Sequence, residues 1–270
     1  MFVLGCLAYT ILLGDLLYIF LVYHTAYYLV GAGLYVSILV WNTYWYYNPQ
    51  LPPYRPRSFV RPELDYTIRQ GPPAAQCIYS VHPHGTWAVP CLYTYNLVPG
   101  SLVYTSRFLH LLPGQSIVAR ILGLMSASRT NLETAIRAGR SPIIASGGER
   151  EAYLSSPGTD VVLITQRKTI FDLATASNVP IVVVLAFGEN QRFTNLHGQL
   201  RLICRRVFGT YGAAWVDAWG IPFGCMQRKQ FYAMEKQLCF SNPVFTLDDY
   251  IHEVKDMYRT YHPSKSLTIL

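Results

Sequence analysis

The sequence predicts an α/β sandwich around a largely parallel sheet, preceded by an apolar N-terminal segment. Three observations carry this reading. From residue 77 onward, short apolar runs alternate with helical patterns, the signature of strands connected through helices. The run Pro180–Phe187 is almost unbroken in β-branched residues, as in a central strand buried on both faces. Before Arg55 there is no Lys or Arg, and Asp15 is the one acid before Glu63.

The apolar segment comes first. Only 14% of the 270 residues are charged, against roughly 25% in an ordinary soluble domain, and the deficit is concentrated here. Met1 to Tyr23 and Thr25 to Tyr47 are each of spanning length, since a bilayer takes roughly 20 apolar helical residues. No basic stretch precedes the first run, which argues against a cleaved signal peptide. A break at Tyr23-His24-Thr25 predicts a transmembrane helical hairpin over residues 1–47. Tyr44, Trp45, Tyr46 and Tyr47 form an aromatic belt at its exit, and Arg55, Arg57 and Arg61 follow. That order places the rest of the chain in the cytosol. Asp15, inside the first span, faces protein or a polar substrate group.

Residues 48–76 read as a linker along the membrane surface. Pro49, Pro52, Pro53, Pro56 and Pro62 exclude a helix. The remaining residues, 77–270, form one domain, large enough for a substantial core. Cys77-Ile78-Tyr79 opens it as a buried strand, and Ser101 to Thr105 is the next. Ile117 to Met125 and Asn131 to Ala138 read as helices, the second capped by Thr130 or Asn131. Pro142 to Ser146 is a strand running into Gly147-Gly148, and Asp160 to Thr165 is another. Lys168 to Ser177 is a helix, Pro180 to Phe187 the central strand, and Leu247 to Tyr261 the last helix.

The net positive charge, +7 for the whole chain, lies wholly beyond the apolar segment. Beside a membrane segment it suits anionic headgroups or a phosphorylated substrate. No basic run exceeds Arg167-Lys168 or Arg205-Arg206, so nucleic acid is not expected as a partner. The six cysteines have no CxxC spacing, which argues against zinc knuckles and a disulfide framework. Self-association is compatible with the sequence.

Three loops follow strands: His82-Pro83-His84-Gly85, Gly147-Gly148-Glu149-Arg150-Glu151 and Phe187-Gly188-Glu189-Asn190. Open α/β sheets gather their sites at the carboxyl ends of strands. A histidine there is a candidate general base near neutral pH. It needs an orienting carboxylate, for which Glu151 and Glu149 are the candidates. Gly85, Gly147 and Gly148 allow a substrate close to the backbone, whose N–H groups suit an oxyanion. No Ser or Cys stands in a nucleophile elbow, so direct attack by a substrate hydroxyl is favoured over an acyl-enzyme. A His-x-His pair also suits a metal, but the other histidines lack ligand spacing.

The ordered set His-Pro-His-Gly, Ser128-Arg129, Gly-Gly-x-x-Glu, Arg167-Lys168 and Phe-Gly-Glu-Asn resembles the type-2 diacylglycerol acyltransferase family, which includes monoacylglycerol and wax-alcohol acyltransferases. The resemblance spans roughly Ile78 to Asn190, and weakly Trp219-Gly220-Ile221-Pro222. It implies a glycerolipid-acyltransferase-like sandwich. It also implies acyl transfer from acyl-CoA, as co-substrate, to an acylglycerol hydroxyl, diacylglycerol first. A monoacylglycerol, long-chain alcohol or lysophospholipid acceptor is the alternative, and an inactive lipid-binding protein of the same fold is the non-enzyme alternative. It places the protein at the endoplasmic reticulum membrane or a lipid droplet, in contact with membrane lipids. No metal or redox cofactor is implied.

By the same resemblance His84 is the general base, Glu151 its carboxylate partner and His82 a support for the loop. Ser128, Arg129, Arg167, Lys168, Glu149, Glu189 and Asn190 join the glycines as substrate-side residues. The cations read equally well as contacts to the phosphates of CoA or as solvated charges. Where the family carries a Lys-Pro-Ile-Thr-type segment, this chain has Cys225-Met226-Gln227-Arg228-Lys229. The Glu149-Arg150 pair, where the family has small residues, adds a second acid beside Glu151.

Overall fold

A computed structural model describes residues 20–34, 36, 37, 40, 66–83, 88–107, 110, 119, 123–154, 159–165, 168–191, 236–263 and 266–270. It is a mixed α/β structure with a sheet rich in parallel pairs. The main sheet has seven strands: β1 (Thr67–Gln70), β2 (Ile78–His82), β3 (Leu102–Thr105), β4 (Met125–Ser126), β5 (Pro142–Ile144), β7 (Ile181–Phe187) and β8 (Gln237–Phe240). Their order is β1-β8-β7-β2-β5-β3-β4. Every pair is parallel except β7 with β8. A separate two-stranded parallel sheet joins β6 (Thr159–Val162) to β9 (Ser266–Ile269).

The helices are α1 (Val89–Leu97), α2 (Arg129–Arg137), α3 (Gly148–Leu154), α4 (Lys168–Ser177) and α5 (Leu247–Tyr261). β7, Ile-Val-Val-Val-Leu-Ala-Phe, is buried at every position, as its β-branched run demands. β2 lies beside it, with Ile78 opposite Ile181 and His82 opposite Leu185. Strand periodicity divides the core in two. Ile78 faces a cluster with Ile181, Val183, Leu185 and residues of α2, α4 and α5. Tyr79 and Val81 face the other, with Val182, Val184 and residues of α1.

Four expectations are revised. Of the helix expected over Ile117–Met125, residues 123–125 are not helical, and all the others but Ala119 lie outside the described residues. Met125 and Ser126 are strand, because their backbones pair with Tyr104 and Thr105. Helix α2 starts two residues early, since Ser128 has extended φ and ψ and its Oγ accepts the Asn131 N–H at 3.2 Å. The Asp160 segment leaves the main sheet and pairs with β9, a strand the sequence pattern did not mark. The main sheet also takes in residues 67–70, read from the sequence as linker, and residues 237–240, to which no element was assigned.

The hairpin turn at Tyr23-His24-Thr25 is absent, because residues 20–34 are continuously helical. No Gly or Pro interrupts that stretch at residues 23–25, the His24 ring lies 4.2 Å from that of Phe20, and Thr25 Oγ1 donates to the Leu21 carbonyl at 2.7 Å. Large apolar side chains around this helix, among them Phe20, Tyr27, Leu29 and Val30, are exposed. Among the described residues, no helix is long and apolar enough to cross a membrane.

Helix α5 begins at Thr246, whose Oγ1 accepts the Asp249 N–H at 3.2 Å. Thr246→Ala removes this cap and lowers stability by about 1 kcal/mol, read as a reduced thermal midpoint in detergent.

Candidate active site

His82, expected in a loop after the strand, is the last residue of β2, and its side chain is wholly buried. Its face of the strand also carries Ser80, two residues back. A central strand buried on both faces tolerates such polar groups only when they are hydrogen-bonded, and both are. His82 Nδ1 lies 2.6 Å from Glu151 Oε2. That oxygen also accepts the Leu163 backbone N–H at 3.0 Å, so the ring nitrogen donates to it. The other ring nitrogen, Nε2, lies 3.1 Å from Ser80 Oγ. Ser80 donates to Ser146 Oγ at 2.7 Å and meets the Tyr250 hydroxyl at 2.5 Å.

With its one proton directed at Ser146, Ser80 accepts from Tyr250. Burial holds the Tyr250 phenol well above its ordinary range, partly offset by the Ser80 bond and reinforced by the nearby Glu151 charge. It therefore remains a donor. The network ties β2, the segment after β5, α3 and α5 to one imidazole.

The Gly-Gly-x-x-Glu pattern now has a mechanical explanation. Gly148 has φ +61°, the left-handed conformation that turns the chain from β5 into α3. Gly147 lies against the carboxylate: a Cβ there would sit 1.9 Å from Glu151 Oε2. The two glycines turn the chain and clear space, and Glu151 enters the core from the first turn of α3.

Ser80, His82 and Glu151 have the distances of a nucleophilic relay. Their placement rules out that role in this conformation. Ser80 is buried in mid-strand, outside any elbow, and its hydroxyl is committed to Ser146 and Tyr250. The group locks the histidine in place.

Glu151 is thus the carboxylate that engages a histidine of the motif, and the histidine it engages among the described residues is His82. Glu149, in the same turn, is half-buried. His84, Gly85 and Arg167 lie outside the described residues. Ser128 caps α2. Arg129 is exposed and pairs with Glu133 one turn along its own helix, at 2.8 Å. Lys168 is exposed at the start of α4.

Glu189 and Asn190 follow β7, and both are buried. Tyr66 donates to Glu189 Oε2 at 2.5 Å, and Asn190 Nδ2 donates to Asp160 Oδ1 at 2.9 Å. Both bonds are to protein groups and hold the turn. Among the described residues, no group of three or more His, Cys, Asp or Glu is arranged to hold a metal.

Ser80, Ser146, Tyr250 and the Leu163 N–H were not singled out from the sequence as part of the site. Ser80 carried a signal, being polar at i−2 from His82 within a buried run. Tyr250 and Leu163 carried none, since only the fold brings them there.

A family model described as diacylglycerol acyltransferase matches residues 76–247 of this chain. The chain belongs to the diacylglycerol acyltransferase family. It is 29% identical over 145 residues to diacylglycerol O-acyltransferase 2B of Umbelopsis ramanniana, covering 47% of this chain and 41% of that protein. It is 30% identical over 139 residues to human 2-acylglycerol O-acyltransferase 1, covering 45% and 40%. With the mouse 2-acylglycerol O-acyltransferase 1 the identity is 26% over 215 residues, 70% of this chain and 63% of that one. The chain thus spans less than two thirds of the length of these curated relatives. No solved structure gives a significant match. The family match contains every residue of the His82 network except Tyr250, which lies just beyond it in the first turn of α5.

Removing one member of a buried pair leaves the other uncompensated, typically costing 3–5 kcal/mol. His82→Ala therefore destabilises by about that amount, measured by denaturant unfolding. Gly147→Ala displaces the carboxylate and destabilises by about 1–3 kcal/mol through overpacking, read in the same experiment.

Proposed function

We propose that the chain is an acyl-CoA-dependent O-acyltransferase that esterifies an acylglycerol hydroxyl, with diacylglycerol as the first acceptor. The observation that carries the reading is the family match over residues 76–247. Its His-Pro-His-Gly motif begins on a histidine held by Glu151 at the end of β2.

His82 Nδ1 is bonded to Glu151, Nε2 lies against the Ser80 hydroxyl, and the ring is buried. It is suited to holding the start of the loop rather than to meeting substrate. We therefore assign the general base to His84, two residues on. His84 takes the proton of the acceptor hydroxyl as that oxygen attacks the thioester carbonyl. A C–O bond forms, the C–S bond breaks, and the imidazolium returns the proton to the CoA thiolate. Backbone N–H groups of the glycine loops stabilise the oxyanion. Arg129, Arg167 and Lys168 are the candidates for the CoA phosphates. Gly85, Gly147, Gly148, Ser128, Glu149, Glu189 and Asn190 complete the proposed substrate side.

The exposed apolar side chains of the helix at residues 20–34 support a membrane location, where lipid would cover them. The domain of residues 77–270 would then work at the cytosolic face of the endoplasmic reticulum or on a lipid droplet. A water-insoluble acceptor would enter from the membrane and CoA from the water.

Membranes carrying the protein, given radiolabelled acyl-CoA and a panel of diacylglycerol, monoacylglycerol, long-chain alcohol and lysophospholipid, test this. Diacylglycerol is labelled fastest, and His84→Ala lowers the rate by about 10²–10⁴-fold while leaving thermal stability near wild type. Labelling of no acceptor above the His84→Ala control leaves the inactive lipid-binding alternative in its place.

A further inference from the structure

Glu151 Oε2 accepts from both His82 Nδ1 and the Leu163 N–H, at 2.6 and 3.0 Å. Leu163 directly follows β6, where the backbone is extended. In an extended chain, neighbouring residues direct their N–H groups to opposite sides. The side opposite Leu163 is occupied by the other end of the chain. The Leu270 N–H donates to the Val162 carbonyl at 2.9 Å, and the Leu270 carbonyl accepts from Ile164 N–H at 2.8 Å and Thr165 N–H at 3.0 Å. Leu270 thus brackets Leu163, bonding the residue before it and the residue after it.

Four further residue pairs continue this register, from Thr159 opposite Ser266 to Val162 opposite Ile269. Among the described residues, β6 has no other strand partner. The segment that presents Leu163 to Glu151 lies outside the main sheet, and β9 with Leu270 is what aligns its backbone.

We propose that strand β9 and Leu270 are a positioning element for the His82–Glu151 pair. By fixing the Val162–Ile164 backbone they hold the Leu163 N–H on Glu151 Oε2. That aims the oxygen at His82 Nδ1 and steadies the end of β2, two residues before His84. These residues touch no reacting atom and act through Glu151. The effect on rate rests on the acyl-transfer reading above; the effect on the His82 bond does not.

The test uses the full chain in detergent, labelled with ¹⁵N-histidine, beside three variants. They are the chain lacking residues 266–270, Leu270→Pro, which removes the N–H given to Val162, and Leu270→Ala, which keeps both backbone groups. The His82 Nδ1 proton, in a short bond to a buried carboxylate, resonates far downfield of the amides. The deletion and Leu270→Pro shift or broaden that resonance and lower kcat about tenfold with KM unchanged, and Leu270→Ala restores both. In a Glu151→Gln background the deletion lowers kcat less than about twofold further, because the two changes act through one contact.

An unaltered resonance in the deletion overturns the proposal, as does a deletion effect that multiplies in full with Glu151→Gln. If the deletion does not fold, Leu270→Pro decides by the same readouts. If the wild type acylates no acceptor, the acyl-transfer reading fails while the resonance still decides the role of β9.

Discussion

The hydrogen bond between His82 and Glu151 is the constraint on which the rest of the site depends. A carboxylate and an imidazole without solvent exposure, at the end of β2, lose hydration that water would otherwise supply. Such a pair persists only where its geometry is good and its remaining valences are filled. The surrounding residues meet that demand. Leu163 donates to the carboxylate, and Ser80 engages the far ring nitrogen. Ser146 and Tyr250 occupy the serine, and Gly147 leaves the space in which the carboxylate lies. Five separate parts of the chain converge on one imidazole, and each is held by an element with its own reason to form.

This convergence has a consequence for the two histidines of His-Pro-His-Gly. His82 belongs to the sheet: paired to β7 through its backbone and to Glu151 through its ring, it has no freedom left. Pro83, with its fixed φ, then carries the chain out of the strand. A reactive base needs the reverse of the environment around His82, namely a ring nitrogen open to the acceptor and room for the imidazolium. Rigidity in the first histidine and reactivity in the second is a division of labour that a single residue could not combine, because the contacts that immobilise a ring are the contacts that occupy its nitrogens.

The elements legible in the sequence were those set by local chemistry. Lys168–Ser177 and Leu247–Tyr261 match the observed helices, and the Val-rich run gave β7 within one residue. Both members of the buried pair come from the flagged motifs, although His82 lies in a strand and Glu151 in a helix. What escaped was set by distant partners. Met125 is a strand residue because Tyr104 lies beside it. Strand β8 is framed by residues with little periodicity, and β9 is a short tail that gains structure only against β6. At residues 23–25 the reading failed for a different reason. Hydrophobic length suggested two spans, but a turn needs residues that break a helix, and Tyr-His-Thr does not break one. Which histidine meets Glu151 could not be read from spacing either, since 69 residues separate His82 from its carboxylate and only the pairing of β2 with β5 sets their distance.

The small sheet shows how a site can depend on residues with no chemistry of their own. β6 stands apart from the main sheet, yet the residue after it donates to the carboxylate at the centre of the network. Its alignment comes from backbone bonds to the last residues of the chain, for which side-chain identity matters little. Apolar side chains of β9, Leu267 and Ile269, pack against the same core cluster that holds Tyr250. The tail and α5 therefore share one core beside the His82 network. Burial anchors the tail, the ladder sets its register, and the register decides where one N–H points. A carboxylate that must accept two donors at a single oxygen is sensitive to that direction, so the order of the site extends to the end of the chain.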